Sequence, residues 1–129
     1  SLLCTVKTGG DRIKSASWKS ESEFMTVDIN NVKFFTCTGK NVAVKKGILG
    51  KNRSTLKKHT CGTYVGKGDS MMCLTGNETG HLIQWNGNSI KQMLKQHTGT
   101  ITHIHFINSE QRIITGSTDG TLGIWNKNL

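Results

Sequence analysis

The sequence predicts an all-β fold: about three four-stranded antiparallel blades set radially side by side in an incomplete ring. Three observations carry that expectation. Two segments repeat, Leu74-Thr-Gly-Asn-Glu-Thr-Gly-His-Leu-Ile-Gln-Trp85-Asn86 and Ile114-Thr-Gly-Ser-Thr-Asp-Gly-Thr-Leu-Gly-Ile-Trp125-Asn126, with their tryptophans 40 residues apart. Each reads as a strand, a tight glycine turn and a second strand closed by tryptophan. Proline is absent, glycine makes up 15 of 129 residues, and Asn and Thr are abundant, a composition for turns and strands. Helical periodicity is weak throughout, and residues 91–96 offer at most one turn. A repeat of roughly 40 residues made of short strands marks propeller blades.

The elements follow in order. Residues 2–7 read as the outer strand of a blade that began earlier, so the chain looks cut from something longer. The first blade, about 8–47, takes strands at 12–18, 23–27, 31–35 and 42–46, with a turn at 28–30. It is a degenerate copy in which Phe35 stands at the tryptophan position. The second blade, about 60–95, takes strands at 60–65, 71–75, 81–85 and 90–95. A third, 97–129, begins with strands at 101–107, 112–115 and 121–125, its fourth falling beyond Asn126. A basic linker, 48–59, joins the first two. Three blades leave two raw apolar faces, which seek the remaining blades of a longer chain or another copy of this one.

Four positions in the third blade, His97 before the inner strand, Thr115 on the second, Asp119 in the tight turn and Trp125 on the third, resemble the WD repeat, whose equivalents bond to one another. A buried polar chain of this kind is stabilising only when every member is satisfied, so a structural role is expected for all four. The second blade keeps Thr75 and Trp85 but has Thr79 where the repeat has Asp. Both tryptophans are followed by Asn.

A further resemblance covers most of the chain. The run Phe24-Met-Thr-Val-Asp-Ile-Asn-Asn-Val-Lys-Phe-Phe35, followed by Lys45-Lys-Gly-Ile-Leu-Gly-Lys51, is similar to the echinoderm microtubule-associated protein-like family. There a strand pair of the pattern F-V-T-V-G-x-K-H-x-K-F-W precedes K-K-G-x-F-G-K. Cys61, the Leu74-Thr-Gly-Asn turn, the Trp85 strand and Gln96-His97-Thr98-Gly99 also fall where that family has similar residues. Phe35 replaces the family's Trp and Asp28 its Gly. The resemblance implies a non-catalytic scaffold on the microtubule cytoskeleton, in the cytoplasm. A generic WD-repeat adaptor in another complex, in RNA processing or ciliary transport, is the alternative.

The charge pattern points toward an acidic partner. The net charge is +9, and all of it lies between Ile29 and Gly68, where nine basic residues stand with no acid, while the rest of the chain carries eight of each sign. Lys45, Lys46, Lys51, Arg53, Lys57 and Lys58 are the expected contacts with an acidic protein, tubulin by the resemblance. Lysines on an outer strand also discourage edge-to-edge aggregation without any partner. Nucleic acid is disfavoured, because aromatic residues are 6% of the chain and Phe34, Phe35 and Tyr64 fall within strands instead of interleaving with the basic residues.

Catalysis is disfavoured as well. No G-x-S-x-G, P-loop or H-E-x-x-H occurs, and no carboxylate pair suggests itself. His103 and His105 alternate on one strand and share a face, which suits a packed strand better than a metal, so neither metal nor cofactor is expected. No apolar run approaches the roughly 18 residues of a membrane span. Cys4, Cys37, Cys61 and Cys73 form no CxxC pair and sit in apolar or Thr-rich runs, so they are expected to be reduced and mostly buried.

Overall fold

The computed structural model describes residues 2, 4–52, 56, 58–68 and 71–129. Among the described residues, eleven strands form three antiparallel sheets. The first holds β1 (Ile13–Trp18), β2 (Glu23–Asp28), β3 (Val32–Thr38) and β4 (Asn41–Lys46) in that order. The second holds β5 (His59–Val65), β6 (Met72–Asn77), β7 (His81–Asn86) and β8 (Ser89–Lys95), and the third β9 (Ile101–Ile107), β10 (Arg112–Ser117) and β11 (Leu122–Asn126). A 3-10 turn spans Gly50–Asn52. Strand β5 lies against β1 and β2 on one side and against β9 on the other. The innermost strands are therefore neighbours and the sheets stack as blades.

The core lies between sheets. Met25, Val27 and Val32 of the first sheet meet Cys73, Ile83 and Trp85 of the second, while Val65, Leu74 and Leu82 meet Ile101 and Ile113 of the third. Period-2 alternation explains it, since each strand sends every other side chain to one face. In the third sheet, register puts Ile113, Thr115, Gly123 and Trp125 on the face toward the second sheet. Ile114, Leu122, Ile124, His103 and His105 share the opposite face. Leu122 and Ile124 are about two-thirds exposed there.

Two expectations are corrected. The described residues among 2–7 form no strand; a strand exists only as one side of a ladder, and none lies beside them. The adjoining segment instead covers the first sheet, with the Lys33 ammonium donating to the Thr8 carbonyl. The second concerns the basic linker, 48–59, whose described residues also reach the core. Ile48 N–H bonds Asn88 O at 2.8 Å, and Leu49 and Leu56 are buried in the first interface. Through Ile48, Leu49 and Leu56, the described residues of this segment engage both blades.

The cysteines are free thiols, but only Cys73 is fully buried, whereas Cys37 and Cys61 are half-buried and Cys4 is exposed. Burial pushes the Cys73 thiol up to about 12. Cys4 escapes burial because the strand expected around it has no sheet to join.

His59, expected at the end of the linker, opens β5 and is wholly buried. It occupies the place Ile101 has in the third sheet: each starts an innermost strand and is followed by a register irregularity. Neither ring nitrogen has a partner among the described residues. Burial lowers its pKa to about 4, against the pull of the Asp28 carboxylate, itself 4.0 Å from the Lys33 ammonium. Below its ordinary value of 6.5 the unfolded chain takes up a proton that the folded chain resists. Stability should therefore fall as the pH drops from about 6.5 to about 4, by roughly 3 kcal/mol, and level off beneath. Urea unfolding across that range reads the slope. Replacement by the residue of the third sheet, His59→Ile, should flatten it, and an unchanged slope would contradict the assignment.

Candidate functional site: a polar chain within a blade and a basic outer edge

The third sheet gathers the four residues singled out by sequence. Thr115 on β10 accepts from Trp125 Nε1 at 3.1 Å and lies 2.8 Å from His97 Nε2. Asp119 does not reach His97 directly; its Oδ2 is 3.7 Å from His97 Nδ1, too long for a good hydrogen bond. Thr121, which sequence reasoning missed, bridges them. Its hydroxyl donates to Asp119 Oδ1 at 2.5 Å and stands 2.9 Å from His97 Nδ1.

Donor and acceptor capacity then fixes the direction of every bond. The Trp125 indole only donates and the Asp119 carboxylate only accepts. Thr121 spends its one hydrogen on Asp119, so it accepts from His97 Nδ1–H. In the neutral ring His97 Nε2 is then an acceptor, and the Thr115 hydroxyl donates to it while accepting from Trp125. The chain then runs one way on each side of an Nδ1–H imidazole. Asp119 also accepts from the N–H groups of Thr98, Gly99 and Thr121. The Thr121 hydroxyl above all, with those N–H groups, holds its carboxyl well below the usual carboxylate range. It thereby ties the connection between sheets two and three to the β10–β11 turn.

Gly123 is the second residue missed. A Cβ there would stand 2.5 Å from Thr115 Oγ1, 2.9 Å from Trp125 Nε1 and 3.2 Å from His97 Nε2. The signal was available: a glycine inside a strand marks close approach. The second sheet has Ile83 at that position and keeps the shorter link, Trp85 Nε1 to Thr75 Oγ1 at 2.9 Å. Its turn carries Thr79, whose hydroxyl bonds Asn77 Oδ1 and His81 Nδ1 at 3.1 and 2.8 Å. Gly80 closes that turn at φ 86°, directly under the His97 carbonyl, where a Cβ would lie 2.0 Å from the oxygen.

The first sheet lacks the link. Phe35 is buried and stacks on Phe24 at 4.7 Å. Aligning the strand pairs puts Thr26, opposite Lys33, where Thr75 is opposite Ile83 and Thr115 opposite Gly123. Its buried hydroxyl has no partner among the described residues, because phenylalanine has no N–H to offer.

The basic residues are brought together only in part. Lys45 and Lys46 end β4, the outer strand of the first sheet, and both are exposed. Lys51 is exposed in the 3-10 turn just beyond. Asn88, in the β7–β8 turn, clamps this end of β4 through its amide to Lys46 O at 3.1 Å. Lys58 stands elsewhere, paired at 3.3 Å with Glu78 in the β6–β7 turn, at the opposite end of β7. Arg53 and Lys57 lie outside the described residues.

Residues 88–126 match the family described as WD domain, G-beta repeat. The matched repeat begins with β8 and ends with β11, so it takes the outer strand of one sheet and the three strands of the next. Over 90% of its length the chain superposes on the crystal structure of the C-terminal WD40 domain of Sif2, with a TM-score of 0.68 at 19% identity, covering 34% of that chain. The fold is that of a WD40 propeller. The U5 small nuclear ribonucleoprotein 40 kDa protein of Dictyostelium discoideum is 30% identical over 94 residues, 63% of this chain. The chain spans about a quarter of that relative's length (26%).

The threonine series separates these roles. Thr75→Val strands the Trp85 indole and should cost about 1–3 kcal/mol. Thr115→Val strands both Trp125 and His97 and should cost at least as much. Thr26→Val removes an unpaired buried hydroxyl and should be neutral or stabilising. Thermal unfolding of the three variants checks this order, and equal losses at Thr26 and Thr75 would contradict it.

Proposed function

We propose that the protein is a non-catalytic interaction scaffold whose basic outer edge docks an acidic protein surface. The observation that carries this reading is the placement of Lys45, Lys46 and Lys51. The three are exposed in sequence order along the end of one edge strand and the turn after it, within a stretch that holds no acid. Such a cluster steers an acidic partner at long range and loses its hold as salt rises. Propeller blades are rigid supports with short exposed edges, which suits display of a charged rim. The polar chain of the third sheet serves the fold: His97 and Thr115 are fully buried, beyond the reach of a substrate.

Two settings supply acidic protein surfaces. The Phe24–Phe35 and Lys45–Lys51 motifs favour tubulin, on the cytoskeleton in the cytoplasm. The relative named as a U5 small nuclear ribonucleoprotein component favours an RNA-processing assembly, with the scaffold bound to its protein subunits. The open face of the third sheet, with Leu122 and Ile124 exposed, suits further blades of a longer propeller or another copy of the chain.

Co-sedimentation with microtubules, and in parallel with purified small nuclear ribonucleoprotein particles, across a salt series tests the reading. Binding to one of them should weaken as salt rises. The combined variant Lys45→Glu, Lys46→Glu and Lys51→Glu should remove most of it while circular dichroism stays unchanged. Undiminished binding of this variant to both at low salt would contradict the proposed docking edge.

A further inference from the structure

Beside the basic edge, the first two sheets diverge and leave a cleft of about 550 Å³, within the roughly 300–1,000 Å³ of small binding pockets. Its walls are unusually aromatic for a chain with so few aromatic residues. Phe34 and Tyr64 line it half-buried, and the buried Trp85 forms its floor with its ring edge-to-face on Phe34 at 5.6 Å. The mouth is polar, with Lys45 and Asn88 on the rim and Lys19 paired to Glu23 at 3.1 Å.

The edge of the cleft is a strand. Ala43 and Lys45 line it from β4, while Val44, between them, points away and is 45% exposed. Strand β4 ends the first sheet, and no strand pairs with its outer side among the described residues; only its last carbonyl, Lys46 O, is taken, by the Asn88 amide. An unpaired edge is a template for an added strand, whose alternate side chains fall on one face at a spacing of about 7 Å. A peptide laid along β4 therefore sends every second side chain toward the cleft and leaves its neighbours beside Val44 and Lys46. No ion pair engages Lys45 or Lys46 with an acid among the described residues.

We infer that β4 and this cleft together form a docking site for an extended acidic peptide segment that carries one large apolar side chain. The acidic residues meet Lys45 and Lys46, and the apolar side chain enters between Phe34, Tyr64 and Trp85. The site gives the docking edge of the proposed function a sequence preference and rests on that reading for its choice of an acidic partner. Charge alone tolerates any acidic surface, whereas an aromatic-walled pocket discriminates by shape and buried area.

Fluorescence anisotropy with two labelled peptides tests it. Both are glutamate-rich and about eight residues long; one has a central phenylalanine and the other alanine in its place. The phenylalanine peptide should bind the protein at least about tenfold more tightly, a difference near 1.4 kcal/mol. The variant Ala43→Trp, at an exposed position, fills the cleft without disturbing the core and should abolish that difference while leaving the alanine peptide unaffected. Lys45→Glu with Lys46→Glu should weaken both peptides. Equal affinity for the two peptides, or an Ala43→Trp variant that still prefers phenylalanine, overturns the cleft; if the lysine reversal still weakens binding, the acidic-docking reading stands without it.

Discussion

The half-buried Trp125 points its indole N–H at Thr115, a residue wholly closed to water. A buried donor left unmade costs about 1–3 kcal/mol, so an acceptor must sit opposite it, and Thr115 on the neighbouring strand is that acceptor. The same requirement recurs between Trp85 and Thr75. Meeting it sets the register of the second and third strands of these two sheets, because a slip by one residue would turn the threonine to the other face. In the third sheet the constraint extends further. Thr115 must also serve His97, His97 must serve Thr121, and Gly123 must lack a side chain so that the three can meet. The first sheet escapes it by giving up the donor: Phe35 stacks on Phe24, and Thr26 keeps an idle hydroxyl.

That internal order has consequences between the sheets. The carboxylate of Asp119 fastens Thr98 and Gly99, and with them the connection from the second sheet. The His97 main chain rests on the turn at Gly80. One polar chain thus shapes a blade and locks it to its neighbour. The first junction has no comparable chain among the described residues and relies on apolar burial, with Leu49 and Leu56 strapped across it and a neutral His59 packed where the second junction has Ile101. Its sheets also part at one end to leave the aromatic cleft. Chemical variety therefore sits at the first junction.

Eleven strands lay close to their sequence positions because alternation, glycine turns and the 40-residue repeat are local signals. His97, Thr115, Asp119 and Trp125 were legible for the same reason, since the third copy keeps the full pattern. Other features depended on three-dimensional proximity. Thr121 is an ordinary turn residue until its hydroxyl is seen between Asp119 and His97. Leu49 and Leu56 were hidden among lysines, so the segment read as a loop. His59 lay in that same basic run, which masked its burial. Residues 2–7 have strand composition, but composition cannot supply a neighbouring strand. Lys58 was grouped with Lys45 and Lys46 by sequence distance, although the chain carries it to the opposite end of β7 and into a pair with Glu78.

The direction of the hydrogen bonds around His97 is the most exposed part of this picture, since it follows from one indole that can only donate and one carboxylate that only accepts. Long-range ¹H–¹⁵N correlation spectra of the imidazole rings at neutral pH report the tautomer of each histidine. For His97 the Nδ1–H form is expected, with Nε2 unprotonated and accepting from Thr115. The Nε2–H form would mean that Thr115 cannot serve both neighbours as described, and would contradict the one-way chain on which the third blade is built.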